Sequence, residues 1–138
     1  MEPVKPIILI AEDEDDLREM YTMALTHAGF EVLQAINGHE VLEWLEKKCM
    51  EVNLILLDIV MPGMDGFETL ERIKKDERFK KILVLVSTNL DNDEDRQQAL
   101  GMGAKDYFVK SQHTPSELVS KINAVFAEEE RINGKKIV

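Results

Sequence analysis

Carboxylates follow two of the apolar runs in this chain without any intervening residue. Glu12 and Asp13 come directly after Ile7 to Ala11, and Asp58 comes directly after Leu54 to Leu57. Apolar runs of this length, bounded by turn residues, are typical of strands buried on both faces of a parallel sheet. An ionised carboxylate can lie at the carboxyl end of such a strand, where open α/β sheets place their ligand crevices. We therefore expect these three carboxylates to share one edge of a sheet.

Two further polar side chains, Thr88 and Lys110, end apolar runs later in the chain. Three carboxylates in close quarters repel one another unless a cation lies among them, and Mg²⁺ prefers hard oxygen ligands. An aspartate oxygen can attack phosphorus while a metal ion, an ammonium and a hydroxyl hold the remaining oxygens. The predicted contents of the crevice are therefore Mg²⁺ and an oxyanion. Ser87 competes with Thr88 as the hydroxyl, but the spacing from Asp95-Arg96 to Lys110 favours Thr88.

Five short apolar runs alternate with stretches of helical period, which indicates βαβ units and a parallel sheet. Right-handed crossovers between parallel strands place all their carboxyl ends at one edge of the sheet, so the candidate side chains are expected to meet there. The predicted strands are Ile7 to Ala11, Glu31 to Ile36, Asn53 to Asp58, Ile82 to Ser87 and Lys105 to Val109.

Four helices are expected to begin at a capping side chain that is followed three residues later by an acidic residue. These caps are Asn37, Asp65, Asn92 and Thr114, and Thr114 precedes a proline at the first helical position. We therefore interpret Asp65 as a helix cap and not as a metal ligand.

A first helix is predicted from about Asp15 to Ala28, with Gly29 ending it. The segment from Asn92 to Met102 is mostly polar, so we expect the helix there to be the most loosely held. In the first helix, helical spacing predicts that the core-facing residues are Leu17, Met20, Tyr21, Ala24, Leu25 and Ala28.

Length and charge restrict the classes of function. The chain has 138 residues and a net charge of −10, so one domain is expected, and general electrostatic binding to nucleic acid or anionic lipid is disfavoured. The single Cys49 fits packing in a reducing compartment, and no signal peptide or membrane-spanning stretch is evident. We expect a cytoplasmic protein with an N-terminal extension at 1–6, a domain at 7–127 and a frayed C-terminal tail at 128–138.

Four segments in order resemble the signatures of the receiver domain of two-component response regulators, with a stand-alone chemotaxis regulator as the best analogy. They are Ile7 to Asp13, Asp58 to Gly66, Ser87 to Asn89 and Gly103 to Lys110, and the resemblance covers roughly Ile7 to Ala127. The resemblance implies a flavodoxin-like (βα)5 three-layer sandwich whose five parallel strands have the order 2-1-3-4-5.

The resemblance also implies a metal site and a phosphoryl acceptor. Asp58 would accept a phosphoryl group from a sensor histidine kinase or a histidine phosphotransfer protein. Mg²⁺ would be bound by Asp13, Asp58 and the backbone carbonyl of Val60, and by Glu12 through water. The protein would assist its own phosphorylation and dephosphorylation without being a conventional enzyme.

The remaining implied roles concern the bound phosphoryl group and the switch. Lys110, Thr88 and the backbone N–H groups of Asn89 and Val60 would bind the phosphoryl oxygens. Tyr107 would be an aromatic switch that follows Thr88, and the surface of the fourth helix, fifth strand and fifth helix would change for a downstream protein effector. A phosphorylation-dependent dimer is compatible with this scheme.

The chain departs from the family pattern around the site. Ser111 follows Lys110 where the family usually has proline, and Asn89 stands where a small residue is usual. Val60 and Leu90 are apolar and lie two residues past Asp58 and Thr88 respectively. Because neither apolar side chain can orient an attacking water, we expect the phosphorylated state to be comparatively long-lived.

Several alternatives remain at this stage. The chain could be a phosphorelay intermediate, or a receiver excised from a larger regulator or hybrid kinase. A Mg²⁺-dependent aspartyl phosphatase is disfavoured because such enzymes carry a second Asp two residues after the nucleophile, where this chain has Val60. A vestigial binding module is disfavoured because all the candidate polar residues are present.

His27, His39 and His113 are interpreted as surface or boundary residues, and Trp44 as core packing.

Overall fold

A computed structural model describes residues 5–134 and Ile137. Strands and helices alternate along the whole described chain, as the spacing of the apolar runs predicted. The elements are β1 (Ile7–Ala11), α1 (Asp15–His27), β2 (Glu31–Ala35), α2 (Gly38–Lys48), β3 (Val52–Leu57), α3 (Gly66–Lys75), β4 (Leu83–Thr88), α4 (Asp93–Gly101), β5 (Asp106–Val109), a short 3-10 helix (Lys110–Gln112) and α5 (Pro115–Asn133).

The strands form one sheet of five, in the order β2-β1-β3-β4-β5, and each neighbouring pair is parallel. This is the predicted flavodoxin-like topology. The strand order changes direction between β1 and β3, so the carboxyl ends of these two strands border one crevice. Sheets of this kind bind ligands in that crevice.

Alternating side chains of the central strands divide the core into two apolar layers. One layer contains Leu9 and Ile55 from the sheet, packed under α2, α3 and α4. The other contains Ile10 and Leu56, packed under α1 and α5. A fully buried Leu or Ile side chain contributes about 1.5–3 kcal/mol relative to an exposed one, so these layers fix the positions of the strand ends.

The predicted helix starts are confirmed. The side chains of Asn37, Asp65 and Asn92 each accept a hydrogen bond from the backbone N–H three residues later. Thr114 and Glu117 bond reciprocally to each other's backbone N–H, which completes a capping box at α5.

Two predicted core residues of α1 are exposed instead. Met20 is 46% exposed and Ala28 is also exposed, whereas Tyr21 and Leu25 are buried. The helix turns the side chains of Tyr21 and Leu25 toward the sheet. Met20 precedes Tyr21, so its side chain points about 100° away from that of Tyr21 round the helix axis. Gly29, at φ +100°, follows the end of the helix as predicted.

The last helix continues beyond the expected domain boundary. α5 continues to Asn133, past the expected boundary at 127, and Gly134 ends it in the left-handed conformation at φ +68°. Glu129 in these turns pairs with the distant Lys105 at 3.4 Å, and Glu130 accepts a local hydrogen bond from the backbone N–H of Ile137 at 2.5 Å. The segment expected to be a frayed helix end and tail is thus helical as far as Asn133. Residues 135, 136 and 138, and residues 1–4 of the N-terminal extension, lie outside the described part.

The fourth helix is held by few apolar contacts, as its sequence indicated. α4 buries Ala99, exposes Asp93 and Glu94, and leaves Asp95 and Arg96 partly buried. Among the residues described, no helix combines the length and apolar character that crossing a bilayer requires.

Candidate functional site

Polar residues from the ends of four strands line one cleft at the carboxyl edge of the sheet. The cleft has a volume of about 330 Å³. β1 leads into Glu12 and Asp13, β3 into Asp58 and β5 into Lys110, and β4 ends at Thr88. The other lining residues are Glu14, Val60, Asn89 and Leu90. The predicted convergence of these side chains is therefore present.

The three carboxylates form a group that could hold a metal ion. Glu12, Asp13 and Asp58 each offer an oxygen, and these oxygens lie within 4.8 Å of one another. Glu12 and Asp58 are buried, whereas Asp13 is exposed at the mouth of the cleft. Oxygen ligands on one side and open space on the other suit Mg²⁺, which usually keeps several waters.

A buried ammonium balances part of the negative charge. Lys110 Nζ donates to Glu12 Oε1 at 2.5 Å and to Asp58 Oδ2 at 3.1 Å. The side chains of all three residues are almost fully buried. Because a buried charge is costly unless it is paired, the three groups hold one another in place.

Burial and the ion pairs act in opposite directions on these groups. Burial raises the pKa of Asp58 and of Glu12 above the usual carboxyl range, although the nearby Lys110 ammonium opposes the increase. Burial alone would lower the pKa of Lys110, but its hydrogen bond to Glu12 and the negative charges of Asp58 and Glu12 raise that pKa overall. Lys110 is therefore a cation at neutral pH.

Backbone contacts orient both buried carboxylates. The N–H of Val60 donates to Asp58 Oδ1 at 3.1 Å, which leaves Oδ2 for Lys110. The N–H of Glu14 donates to Glu12 Oε2 at 3.1 Å. Arg18 Nη1 donates to the Glu12 carbonyl at 2.9 Å, a contact that the sequence analysis missed. Its only sequence signal is a basic residue in the first turns of a helix that follows an acidic run.

Gly66 shapes the loop that follows Asp58. Its N–H donates to the Ile59 carbonyl at 2.7 Å. A Cβ at Gly66 would lie 2.4 Å from the Asp58 carbonyl oxygen and 2.3 Å from Ile59 Cα, so no side chain fits there. The start of α3 can therefore close tightly over this loop and fix the direction of Asp58. In the sequence Gly66 is visible only as part of a motif, and this role was not predicted.

The predicted hydroxyl and the predicted aromatic switch both contact Leu90. The N–H of Leu90 donates to Thr88 Oγ1 at 3.3 Å, and Tyr107 donates its phenolic proton to the Leu90 carbonyl at 2.5 Å. Tyr107 is 4% exposed, and the Arg96 guanidinium of α4 lies 5.1 Å from the centre of its ring. Burial and the charge of Asp95 raise the pKa of Tyr107. One chain of contacts therefore runs from the cleft to α4.

Two predicted residues stand at the mouth of the cleft and not inside it. Val60 is 58% exposed and Asn89 is also exposed. Leu90 is partly buried beside them. The backbone N–H of Val60, which was predicted to bind a phosphoryl oxygen, bonds to the acceptor carboxylate itself.

No role in the site was predicted for Asp65, Trp44 and the three histidines, and none of them lines the cleft. Asp65 caps α3, and His27 and His39 are exposed. His113 is exposed and stacks on Phe108 at 4.7 Å between ring centres. Trp44 is half-buried, and its Nε1 donates to the Gln34 carbonyl at 2.8 Å.

Known proteins are similar in sequence to most of this chain. The family of the response regulator receiver domain matches residues 8–123. The phosphate regulon transcriptional regulatory protein PhoB of Pseudomonas aeruginosa is 39% identical over 121 residues, which are 86% of this chain and 50% of that protein. The DNA-binding dual master transcriptional regulator RpaA of Synechocystis is 32% identical over 127 residues, which are 92% of this chain and 52% of that protein. The chain thus spans about half the length of these relatives.

Solved structures agree with the fold. The chemotaxis response regulator CheY4 of Vibrio cholerae has a TM-score of 0.81 and 28% identity, covering 88% of this chain and 99% of that one. A CheX-CheY-BeF3-Mg²⁺ complex from Borrelia burgdorferi contains a chain with a TM-score of 0.82 and 25% identity, covering 88% of this chain and 89% of that one. The strand order, the acidic cleft and the family match over residues 8–123 together lead to one assignment. The chain belongs to the response regulator receiver domain family.

Proposed function

We propose that Asp58 is the phosphoacceptor of this receiver domain. In the proposed step an Asp58 oxygen attacks the phosphorus of a phosphohistidine on a kinase or a phosphotransfer protein. The O–P bond forms, the P–N bond breaks, and the histidine ring leaves with the electron pair. The observation that carries the proposal is that Asp58 lies with two further carboxylates within 4.8 Å and with the Lys110 ammonium at 3.1 Å. An acceptor in this setting has a metal site and a cation beside it.

The metal site is proposed for Mg²⁺. Asp13 and Asp58 would bind the ion directly, with the Val60 carbonyl as a further ligand and Glu12 acting through water. Their oxygens fit the ion because they are hard donors grouped on one side of an open cleft. When bound, the ion supplies positive charge against the phosphoryl oxygens.

The residues of the opposite wall would bind the phosphoryl group. Lys110 is already held against Asp58, so its ammonium is placed to pair with a phosphoryl oxygen. Thr88 lines the same cleft and would donate its hydroxyl proton. The backbone N–H groups of Asn89 and Val60 are the further proposed donors.

The proposed output is a change at the surface of α4, β5 and α5. A shift of Thr88 toward the phosphoryl group would disturb Leu90, to which Tyr107 is also bonded. Tyr107 in turn lies against Arg96 of α4, and α4 is a weakly packed helix. Such a switch biases two existing arrangements by the difference in their interaction with the phosphoryl group.

The partner that reads this surface is proposed to be a protein. The net charge of −10 disfavours direct contact of this chain with DNA, although RpaA is named as a DNA-binding regulator. The solved CheX-CheY complex supports a protein partner for the fold. A role as a phosphorelay intermediate, or as the receiver part of a larger regulator, uses the same acceptor chemistry and remains the alternative.

Incubation with a small phosphoryl donor such as acetyl phosphate tests the proposed function. We expect intact-protein mass spectrometry to show the gain of one phosphoryl group with Mg²⁺ and no gain with excess chelator. The gain should be lost in Asp58→Asn and kept in the matched variant Asp65→Asn, because Asp65 is an exposed helix cap. No gain in the wild type would contradict the proposal, and steady release of phosphate would favour a phosphatase instead.

A further inference from the structure

Ser87 carries a buried hydroxyl that has no partner. The residue is 3% exposed, and its Oγ makes no hydrogen bond within the described part of the chain. A buried hydroxyl without a bond costs free energy, commonly about 1–3 kcal/mol, so a specific unsatisfied group calls for a physical explanation. The function proposed above uses Thr88 and leaves Ser87 unassigned.

Strand alternation places Ser87 on the same face of the sheet as the charged cluster. Glu12, Asp58, Lys110 and Ser87 each come two residues after a member of one apolar layer, namely Ile10, Leu56, Phe108 and Leu85. Thr88 follows Val86, which belongs to the opposite layer. Side chains two residues apart on a strand lie on the same face, so Ser87 is placed on the face of the cluster, whereas Thr88 borders the cleft from the opposite face.

Strand register places Ser87 beside the acceptor. Leu57 of β3 pairs with Val86 of β4, so the next positions along the two strands are Asp58 and Ser87. On its other side Ser87 pairs with Phe108 of β5, two residues before Lys110. Ser87 therefore lies between the strand that carries the acceptor and the strand that leads into the lysine.

The Lys110 side chain reaches across the end of the sheet. Lys110 directly follows β5, yet its ammonium bonds to Asp58, which follows β3, and to Glu12, which follows β1. The strand order places β4 between them, so the side chain must pass the carboxyl end of β4, where Ser87 is the last residue but one. An ammonium has three donors, and the two carboxylates take two of them.

We propose that Ser87 is a positioning residue for Lys110. Its hydroxyl accepts a hydrogen bond from the Lys110 ammonium once Glu12 and Asp58 turn toward the metal and the phosphoryl group. The ammonium then keeps a buried partner while it pairs with a phosphoryl oxygen. This inference rests on the proposed phosphoacceptor function. It gives the Ser87 hydroxyl, which the unphosphorylated fold leaves unsatisfied, a partner in the phosphorylated protein.

The matched pair Ser87→Thr and Ser87→Val tests the inference. The two side chains have nearly the same shape, and only Thr retains a hydroxyl. We expect Ser87→Val to be phosphorylated by acetyl phosphate and Mg²⁺ about two- to tenfold more slowly than Ser87→Thr, the size expected for one hydrogen bond. Without phosphoryl donor, Ser87→Val should melt a few degrees higher than Ser87→Thr, because it buries no unsatisfied hydroxyl.

The opposite signs of these two effects separate positioning from packing. Equal phosphorylation rates in the pair would overturn the inference, and so would a Ser87→Val rate that falls together with its melting temperature. Ser87→Ala, which only removes atoms, repeats the comparison against wild type if the larger side chains prevent folding. Failure of the wild type itself to gain a phosphoryl group would instead reject the proposed function.

Discussion

At the scale of single residues, the cleft depends on the balance between one buried cation and its carboxylates. Lys110 bonds to both Glu12 and Asp58, and all three side chains are almost fully enclosed. Burial raises the pKa of each carboxyl group, and Lys110 opposes that increase. Removing the ammonium would leave two carboxylates facing each other in a poorly solvated site, with no other cation bonded to them among the described residues.

The first prediction concerns Lys110→Met, which keeps the length of the side chain but removes its charge. We expect the free energy of unfolding without metal to fall by about 3 kcal/mol, the lower end for a buried ion pair that loses one partner, because the carboxylates border a cleft that water can enter. Added Mg²⁺ should restore part of the loss by replacing the missing positive charge. Urea unfolding with and without Mg²⁺ measures both effects. The matched variant Lys81→Met, at an exposed position, should show neither.

The second prediction concerns the apolar residues at the mouth of the cleft. Val60 and Leu90 both line it, and neither can orient water. The double variant Val60→Asn and Leu90→Glu should lose its phosphoryl group at least about tenfold faster, because polar side chains there can position an attacking water. Decay of the phosphorylated mass after donor removal measures the rate. Met50→Asn, at an exposed site, is the control. Unchanged or slower decay in the double variant would contradict the prediction that Val60 and Leu90 slow the loss of the phosphoryl group.

At the scale of elements, local signals in the sequence predicted more than long-range contacts did. Asn37 and Thr114 identified helix starts because a cap needs only the next three residues. The end of α5 was not predicted, because its last turns pair with Lys105, which is distant in the chain and which local sequence does not reveal. Met20 was assigned to the core because the helical period alone does not give the angle at which a helix packs on a sheet.

The same distinction holds for the candidate site. The acidic residues and Lys110 could be predicted because each follows an apolar run, and parallel topology then brings the strand ends together. The roles of Arg18 and Gly66 could not, since they depend on how a helix and a loop close over the strand ends. The missing partner of Ser87 is likewise visible only when every neighbouring atom has been placed.

The third prediction concerns the contact between α2 and the segment after α3. Arg78 bonds to both oxygens of Glu46 and to Asp76, and these hydrogen bonds lower the pKa of both carboxyl groups. A carboxyl group whose pKa is lowered by folding stabilises the fold above its unfolded pKa, near 4, and loses that contribution as the pH falls through its folded pKa. Arg78→Ala should therefore destabilise the protein at pH 7 and much less at pH 3.

Urea midpoints at the two pH values test this prediction. Arg72→Ala is the matched control, because Arg72 makes a single longer contact with Glu68, at 3.5 Å. A destabilisation by Arg78→Ala that stays the same size at pH 3 would show that packing, and not the ion pairs, explains the contact.

At the scale of the whole molecule, the two layers of the core connect differently to the cleft. The layer under α1 and α5 lies below Glu12, Asp58 and Lys110, and it holds the acceptor in place. The layer under α2, α3 and α4 contains Tyr107, which links the cleft to the weakly packed α4. A rigid acceptor beside a loosely held helix is the arrangement in which a small local change can shift one element without unfolding the rest.

The last prediction tests that coupling by amide hydrogen exchange. Phosphorylation should change the exchange of residues 93–101 and 106–112 more than that of α2, because the contacts of Leu90 and Tyr107 lead from the cleft to α4. Tyr107→Phe keeps the buried ring but removes the proton donated to Leu90, so the change in α4 should fall by roughly half while the rate of phosphorylation stays the same. If α4 responds equally in both proteins, the coupling runs through the ring and not through its hydroxyl. If α4 does not respond in the wild type, the proposed output surface is wrong, even though Asp58 still accepts the phosphoryl group.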